Sequence, residues 1–226
     1  MRYKGILFDF NGTLFRDSEK HEEAWNIMAR KLRGRPFTPE EFKIHMHGRE
    51  NPEIISYLLG CPVPRGEALA WGERKESIYR ELCLRDPAHL HLAPGAEDLL
   101  GFLAKEGVPR AIATSSERTN VRFYIEQFHL LRWFSAETIL FADGSFPAKP
   151  APDIYLRAAA LLGLPPEECI VCEDSASGLL AARHAGAGLV IAVSQAGGEP
   201  AAGSPADLIL PDFISFDRLL LTSRVN

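Results

Sequence analysis

The sequence predicts an α/β fold, doubly wound around a mostly parallel sheet, with an all-helical domain inserted after the first strand. Three observations predict it. Short apolar runs recur along most of the chain, each ending in polar or turn residues. Helical patterns lie between the later runs. From about residue 16 to about 88 the alternation stops, and only amphipathic helical patterns remain.

The runs are "KGILFDF" (4–10), "PRAIATSS" (109–116), "ETILFAD" (137–143), "ECIVCEDS" (168–175), "GLVIAVS" (188–194) and "DLILPD" (207–212). They read as strands buried on both faces, as parallel sheets require. "PGAEDLLGFLAKEG" (94–107) has Pro at its start and Gly at its end, the usual helix punctuation. "DIYLRAAALLG" (153–163) and "ASGLLAARHAG" (176–186) follow the same pattern. Right-handed crossovers are expected between the strands. In the inserted region, "EKHEEAWNIMARKL" (19–32), "TPEEFKIHMHG" (38–48), "NPEIISYLLG" (51–60) and "RGEALAWGERKESIYRELC" (65–83) predict four helices. The expected organisation is a core of residues 1–15 and 89–226 and a helical cap of 16–88. The insertion leaves from the C-terminal end of a strand, where open α/β sheets bind ligands. "SQAGGEPAAGSPAD" (194–207) reads as a surface loop.

The chain has 226 residues, enough for one large domain or a large and a small one. Apolar residues make up 46% and charged residues 24%, the balance of a globular protein with a sizeable core. A net charge of −5 argues against a nucleic-acid or anionic-membrane surface. The longest apolar runs are too short to span a bilayer. The N-terminal apolar run meets Asp9 too soon for a signal segment and shows no small-residue cleavage site, so a cytoplasmic location is expected. Oligomeric state is not readable from the sequence. Cys61, Cys83, Cys169 and Cys172 are ordinary usage for a reducing compartment. "CIVC" (169–172) has metal or redox spacing, but on a strand residues three apart face opposite sides, so a buried strand is expected.

Polar clusters end four of the segments on the ligand-binding edge of the sheet: Asp9 with Asn11, Thr114 with Ser115 and Ser116, Lys149 in "FPAKPAPD", and Glu173 with Asp174. Asp9 and Asn11 are two apart, so on an extended chain they point the same way. The combination suits phosphoryl transfer. Asp9 is the candidate nucleophile, forming an aspartyl-phosphate. Asp9 and Asp174 bring like charges to one place, which calls for a cation between them, and oxygen ligands with water select Mg²⁺. Glu173 could ligate through water. Lys149 would balance charge, and Thr114 would donate a hydrogen bond to phosphate oxygen. Gly12 permits a turn that aims backbone N–H groups at the same phosphate.

"FDFNGTL", "AIATSS", "AKPAPDIY" and "VCEDSASGLLAARHAG" resemble, in order, the four motifs of the haloacid dehalogenase superfamily. The last two resemble its β-phosphoglucomutase-like and phosphoglycolate-phosphatase-like branch. The motifs span residues 8–186, nearly the whole chain. The resemblance implies a Rossmann-like core with a helical cap after the first motif. It makes Asp9 the nucleophile, Thr114 the phosphate contact, Lys149 the charge-balancing lysine and Asp174 a metal ligand with Glu173 beside it. It also implies that the backbone carbonyl of Asn11 ligates the metal. In the cap, "HEEAW" (21–25) resembles a stretch whose histidine, here His21, helps to position the acid–base. "HGREN" (47–51), with Arg49, resembles a substrate loop, and Lys75 falls near a substrate-contacting lysine. Ser115 and Ser116 join the substrate-binding set. The basic cap residues Arg49 and Lys75 suggest an anionic leaving group. Cap closure would exclude water and gate turnover.

Asn11 departs from the family, which usually has Asp there as general acid and base. A carboxamide exchanges no proton at neutral pH, and such catalysis contributes roughly 10²–10⁴-fold. Four accounts follow: a substrate with a good leaving group, or proton transfer by His21 or water; an engineered trap substitution; deamidation at the labile Asn11-Gly12 bond, which restores Asp in part; or a weakly active or inactive protein that binds a phosphorylated ligand as a sensor. The expected activity is a Mg²⁺-dependent phosphohydrolase acting on a small phosphorylated metabolite, with a sugar-phosphate mutase of the β-phosphoglucomutase type as the alternative. Dehalogenation would leave Glu173 and Asp174 as unneeded charge. Phosphonate hydrolysis would need a Schiff-base lysine, and nothing marks Lys31, Lys43 or Lys75 as buried.

Overall fold

The structure is a computed structural model that describes residues 3–46, 49, 51–194, 197–199 and 202–221. The chain divides into two compact units, Met1–Arg16 with His91–Asn226, and Asp17–Leu90.

The first unit is built on six parallel strands: β1 (Gly5–Phe8), β2 (Arg110–Thr114), β3 (Ile139–Phe141), β4 (Cys169–Glu173), β5 (Leu189–Val193) and β6 (Leu208–Leu210). Their order across the sheet is β3-β2-β1-β4-β5-β6. All five pairings are parallel. The order reverses beside β1, and that switch point opens a crevice at the C-terminal ends of β1 and β4. Register is shared there, with Leu7 opposite both Ala111 and Val171. Every residue of β1, β4 and β5 is buried, which accounts for their continuous apolar runs.

The unit's helices, numbered along the whole chain, are α5 (Ala96–Lys105), α6 (Arg118–Gln127), α7 (Asp153–Leu161) and α8 (Ala176–His184). Against one sheet face, Leu7, Ala113, Val171 and Val190 meet Ala158, Ala159, Ala181 and Ala182 of α7 and α8. Those small side chains let the helices lie close to the sheet. Ser175 caps α8, its hydroxyl accepting from the Gly178 N–H at 3.0 Å. Cys169 and Cys172 are free and buried in β4, as the strand reading of "CIVC" requires.

The second unit is helical: α1 (Ser18–Arg33), α2 (Pro39–Glu41), α3 (Asn51–Leu59) and α4 (Arg65–Arg85). Trp25, Met28 and Ala29 recur at helical spacing on α1 and bury with Ile54, Ile55 and Leu58 of α3. Of the helix expected over 38–48, the described residues to Met46 form instead a short turn of α2 that widens into a π-helical turn, Phe42–Met46. A capping box holds its start, with the Thr38 hydroxyl accepting from the Glu41 N–H and the Glu41 carboxylate from the Thr38 N–H. The same carboxylate accepts from Arg33, Arg35 and Tyr57, which drives its pKa far below the usual range. Among the described residues no helix is long and apolar enough to cross a membrane.

Candidate active site

β1 ends at Phe8, and the chain then turns on itself. Gly12 adopts φ +78°, donates its N–H to the Phe15 carbonyl at 2.7 Å, and Phe15 donates back to Phe10 at 2.9 Å. The strand stops before Asp9 and Asn11, so their side chains diverge instead of sharing one face.

Asp9 turns toward β4. Its Oδ1 accepts from Lys149 Nζ at 2.6 Å, and the same ammonium donates to Glu173 Oε1 at 2.7 Å and to the Ala113 carbonyl at 3.1 Å. All three charged side chains are more than nine-tenths buried. Glu173 has further partners in the core: it also accepts from the Tyr155 hydroxyl at 3.3 Å and, through Oε2, from the Ser175 N–H at 2.6 Å and hydroxyl at 3.0 Å. Asp174 is exposed, and its Oδ1 accepts from Thr13 at 3.1 Å.

Burial works against the charges of Asp9 and Lys149. The Asp9 and Glu173 carboxylates overcome it for Lys149 and hold the ammonium well above its ordinary range. Asp9 bears the strain: burial pushes its carboxyl up, Glu173 and Asp174 add to the push, and Lys149 opposes it. Carboxylate oxygens of Asp9, Glu173 and Asp174 lie within 4.8 Å of one another. Hard oxygen donors with surplus negative charge, one of them open to solvent, fit a divalent cation of the Mg²⁺ type.

Glycines make room for two of these carboxylates. A Cβ on Gly12 would stand 2.0 Å from Asp174 Oδ2, and one on Gly178 would stand 1.6 Å from Glu173 Oε1. Only backbone fits beside either group.

Asn11 turns the other way, toward β2 and α6. Its Oδ1 accepts from Ser116 Oγ at 2.6 Å and Thr114 Oγ1 at 3.3 Å, and its Nδ2 donates to the Tyr124 hydroxyl at 2.8 Å. Thr114 Oγ1 accepts from the Ser116 N–H at 3.1 Å. Ser115 is exposed beside them.

The structure thus gathers Asp9, Asn11, Gly12, Thr114, Ser116, Lys149, Glu173 and Asp174 on one sheet edge. In the helical unit it joins His21 and Lys75, with Lys75 Nζ 2.5 Å from His21 Nδ1. Lys75 is buried, donates to Glu76 at 3.0 Å, and lies over the rings of Trp25 and Tyr79. His21 stacks on Tyr79 at 3.9 Å and places Nε2 3.3 Å from Asp17, whose carboxylate also accepts from Tyr79. Arg49 is exposed and faces Glu53 at 3.6 Å. His47, Gly48 and Glu50 of the expected substrate loop lie outside the described residues.

Sequence reasoning passed over Thr13, Tyr124, Tyr155, Ser175 and, in the helical unit, Asp17 and Glu76. The tyrosines carried a signal, since a buried tyrosine hydroxyl needs a partner.

At this sheet edge, beside a topological switch point, carboxylates gather around a buried lysine. The model of the haloacid dehalogenase-like hydrolases matches residues 3–186. Hexitol phosphatase A of Escherichia coli is 34% identical over 227 residues, covering 100% of this chain and 97% of its own. Among solved structures, a HAD hydrolase of family IA, variant 3, from Entamoeba histolytica superposes with a TM-score of 0.89 at 35% identity, covering 96% of this chain and 97% of that one. CbbY from Rhodobacter sphaeroides, a mutant in complex with xylulose-(1,5)bisphosphate, superposes with a TM-score of 0.76 at 29% identity, covering 94% of this chain and 96% of that one. The chain belongs to the haloacid dehalogenase-like hydrolase family.

Proposed function

We propose that this protein is a Mg²⁺-dependent phosphohydrolase that acts on a small phosphorylated metabolite of sugar or sugar-alcohol type, through an aspartyl-phosphate at Asp9. The observation that carries the reading is the Asp9 carboxylate, bound by Lys149 at 2.6 Å and gathered with Asp174 and Glu173. The phosphatase relatives support hydrolysis, and the hexitol phosphatase supports the substrate class.

Lys149 holds Asp9 Oδ1 at 2.6 Å, so the reading takes Oδ2 as the attacking atom. The attack forms the Oδ2–P bond, breaks the bond from phosphorus to the leaving oxygen, and later yields to water at phosphorus. Lys149 holds Asp9 in place and offsets charge. The phosphate-contact role expected of Thr114 and the substrate role expected of Ser116 are proposed for hydroxyls that here donate to Asn11 Oδ1. Asp9, Asp174, the Asn11 carbonyl and, through water, Glu173 would hold Mg²⁺, which supplies neutralisation of charge developing on the phosphoryl oxygens. The specificity role expected of the helical unit is proposed for His21, Lys75 and Arg49. Both His21 ring nitrogens have partners within that unit, so the histidine is held as a positioned group.

Phosphate release from p-nitrophenyl phosphate tests the reading. Release should require Mg²⁺ and vanish in Asp9→Ala. A chain that binds Mg²⁺ and phosphate without turnover would instead be a sensor. A screen of hexitol and pentose phosphates on the native chain and Asn11→Asp then sorts substrates, and transfer of phosphate to a sugar phosphate in place of water would identify a mutase.

A further inference from the structure

We propose that Tyr124 is a positioning residue, which closes a ring of hydroxyls around the Asn11 carboxamide and fixes it as an amide in one orientation. The proton directions follow by elimination. The Ser116 hydroxyl has one proton and gives it to Asn11 Oδ1 at 2.6 Å. Its oxygen is 3.4 Å from the Tyr124 hydroxyl, so in that pair the phenol is the donor. The Tyr124 oxygen in turn accepts from Asn11 Nδ2 at 2.8 Å. Donation runs one way around the ring, from Asn11 to Tyr124 to Ser116 and back to Asn11. Thr114 adds a second donor to Oδ1, because its own oxygen already accepts the Ser116 N–H. Hydrogen bonds arranged head to tail strengthen one another. A carboxamide closes such a ring because it carries a donor and an acceptor on one group; a carboxylate carries acceptors only.

Packing fixes the phenol. Tyr124 is buried, its ring stacks on Phe10 at 4.4 Å between centroids, and its edge meets Phe15. Phe10 and Phe15 flank the turn that carries Asn11, so the same aromatic contacts hold both ends of the hydrogen bond.

The ring has a chemical consequence. Deamidation at Asn11-Gly12 requires the Gly12 nitrogen, after losing its proton, to bond to Asn11 Cγ as ammonia leaves, and water then opens the cyclic imide to Asp or its isomer. Here the Gly12 N–H is donated to the Phe15 carbonyl at 2.7 Å, and the carboxamide oxygen and nitrogen on Cγ are held by hydrogen bonds with three hydroxyl groups. The labile sequence is thereby preserved as Asn.

Tyr124→Phe and Ser116→Ala test the proposal by two readouts. Peptide mapping after incubation at mildly alkaline pH follows deamidation of the fragment containing Asn11 and reads no activity. Either variant should deamidate at least about fivefold faster than the native chain, as loss of one hydrogen bond allows; equal rates would overturn the proposal. The kinetic arm rests on the phosphohydrolase reading. Tyr124→Phe should lower kcat by about 3–10-fold in the native background, with KM little moved, and by less than about twofold in Asn11→Ala. Equal losses in both backgrounds would show that Tyr124 acts as structure alone and not through Asn11. If the native chain hydrolyses nothing, the phosphohydrolase reading fails while the deamidation arm still decides this one. Should Tyr124→Phe fail to fold, Ser116→Ala still decides the proposal through the deamidation arm, which reads no activity.

Discussion

Replacing Lys149 by Met should be the most damaging single change in the core unit, and its size can be worked from the contacts. Met keeps most of the apolar stem and removes the ammonium. Asp9 and Glu173 then lose charge-assisted bonds of 2.6 and 2.7 Å and face each other, buried, with no cation between them. Hydrogen bonds to charged groups contribute about 1.5–3 kcal/mol each, so two give about 3–6 kcal/mol. Removing one member of a buried ion pair costs about 3–5 kcal/mol by an independent route. In a chain of this size the melting temperature should fall by roughly 6–20 °C. Urea unfolding and thermal melts in the presence of a chelator measure it, so that no added cation masks the loss. The pH dependence follows from the pKa directions. Lys149 is held above its ordinary value, so its contribution is complete throughout the neutral range and is lost only as pH rises through that raised value. Asp9 is held up, so the folded chain takes up its proton before the unfolded chain does, and stability gains as pH falls. Without Lys149 that upward push is unopposed, so the gap between variant and native chain should narrow from about pH 7 toward about pH 5. A loss below about 1 kcal/mol, or a gap that widens on acidification, would refute the assignment of Lys149 as the charge that holds this cluster together.

Three further outcomes are expected. Gly12→Ala combines a positive φ with a Cβ 2.0 Å from Asp174, so it should raise the Mg²⁺ concentration needed for half-maximal activity while Lys149 and Glu173 keep their bonds. Gly178→Ala drives a Cβ into Glu173 and should cost about 1–3 kcal/mol in urea unfolding. In a native thiol titration near neutral pH, exposed Cys61 should react, whereas Cys83, Cys169 and Cys172 should stay silent until the chain is unfolded; burial pushes the Cys83 thiol up to about 12 and the Cys169 thiol up to about 11, so neither supplies thiolate.

The sheet was legible because its strands are buried on both faces, which writes them as uninterrupted apolar runs. α6 was not. Arg118, Thr119, Arg122, Glu126 and Gln127 face water, while Asn120, Val121, Phe123 and Tyr124 are buried. A buried Asn and a helix start with no side-chain cap blur its pattern. The stretch 38–48 had helical spacing, but its described residues to Met46 form a turn plus a π-helical turn, with the Glu41 carboxylate bound to Arg33, Arg35, Tyr57 and the Thr38 N–H. At the site, the charged residues were legible from chemistry at strand ends. Tyr124 was not, since an aromatic residue at helical spacing reads as core until its hydroxyl is seen against Asn11. Lys75 gave no sign of burial in sequence; the rings of Trp25 and Tyr79 and the Glu76 carboxylate make that burial possible.

The charge count explains how the site tolerates an amide at position 11. Asp9, Glu173 and Asp174 bring three negative charges against the one positive charge of Lys149, and the difference of two matches a divalent cation. A carboxylate at position 11 would add a further negative charge two residues from Asp9, which already bears the strain of burial. The amide removes that repulsion and with it the exchangeable proton. His21 has both ring nitrogens engaged within the helical unit, which ties up its own ring proton. Turnover should then depend on how well the leaving group departs without a proton. Across a series of aryl and alkyl phosphates, log kcat/KM should fall more steeply with leaving-group pKa for the native chain than for Asn11→Asp, whose carboxyl can donate. At the poorest leaving groups the two should differ by roughly the 10²–10⁴-fold that general acid catalysis contributes, and at the best they should converge. Parallel slopes would mean that another group protonates the leaving oxygen in the native chain.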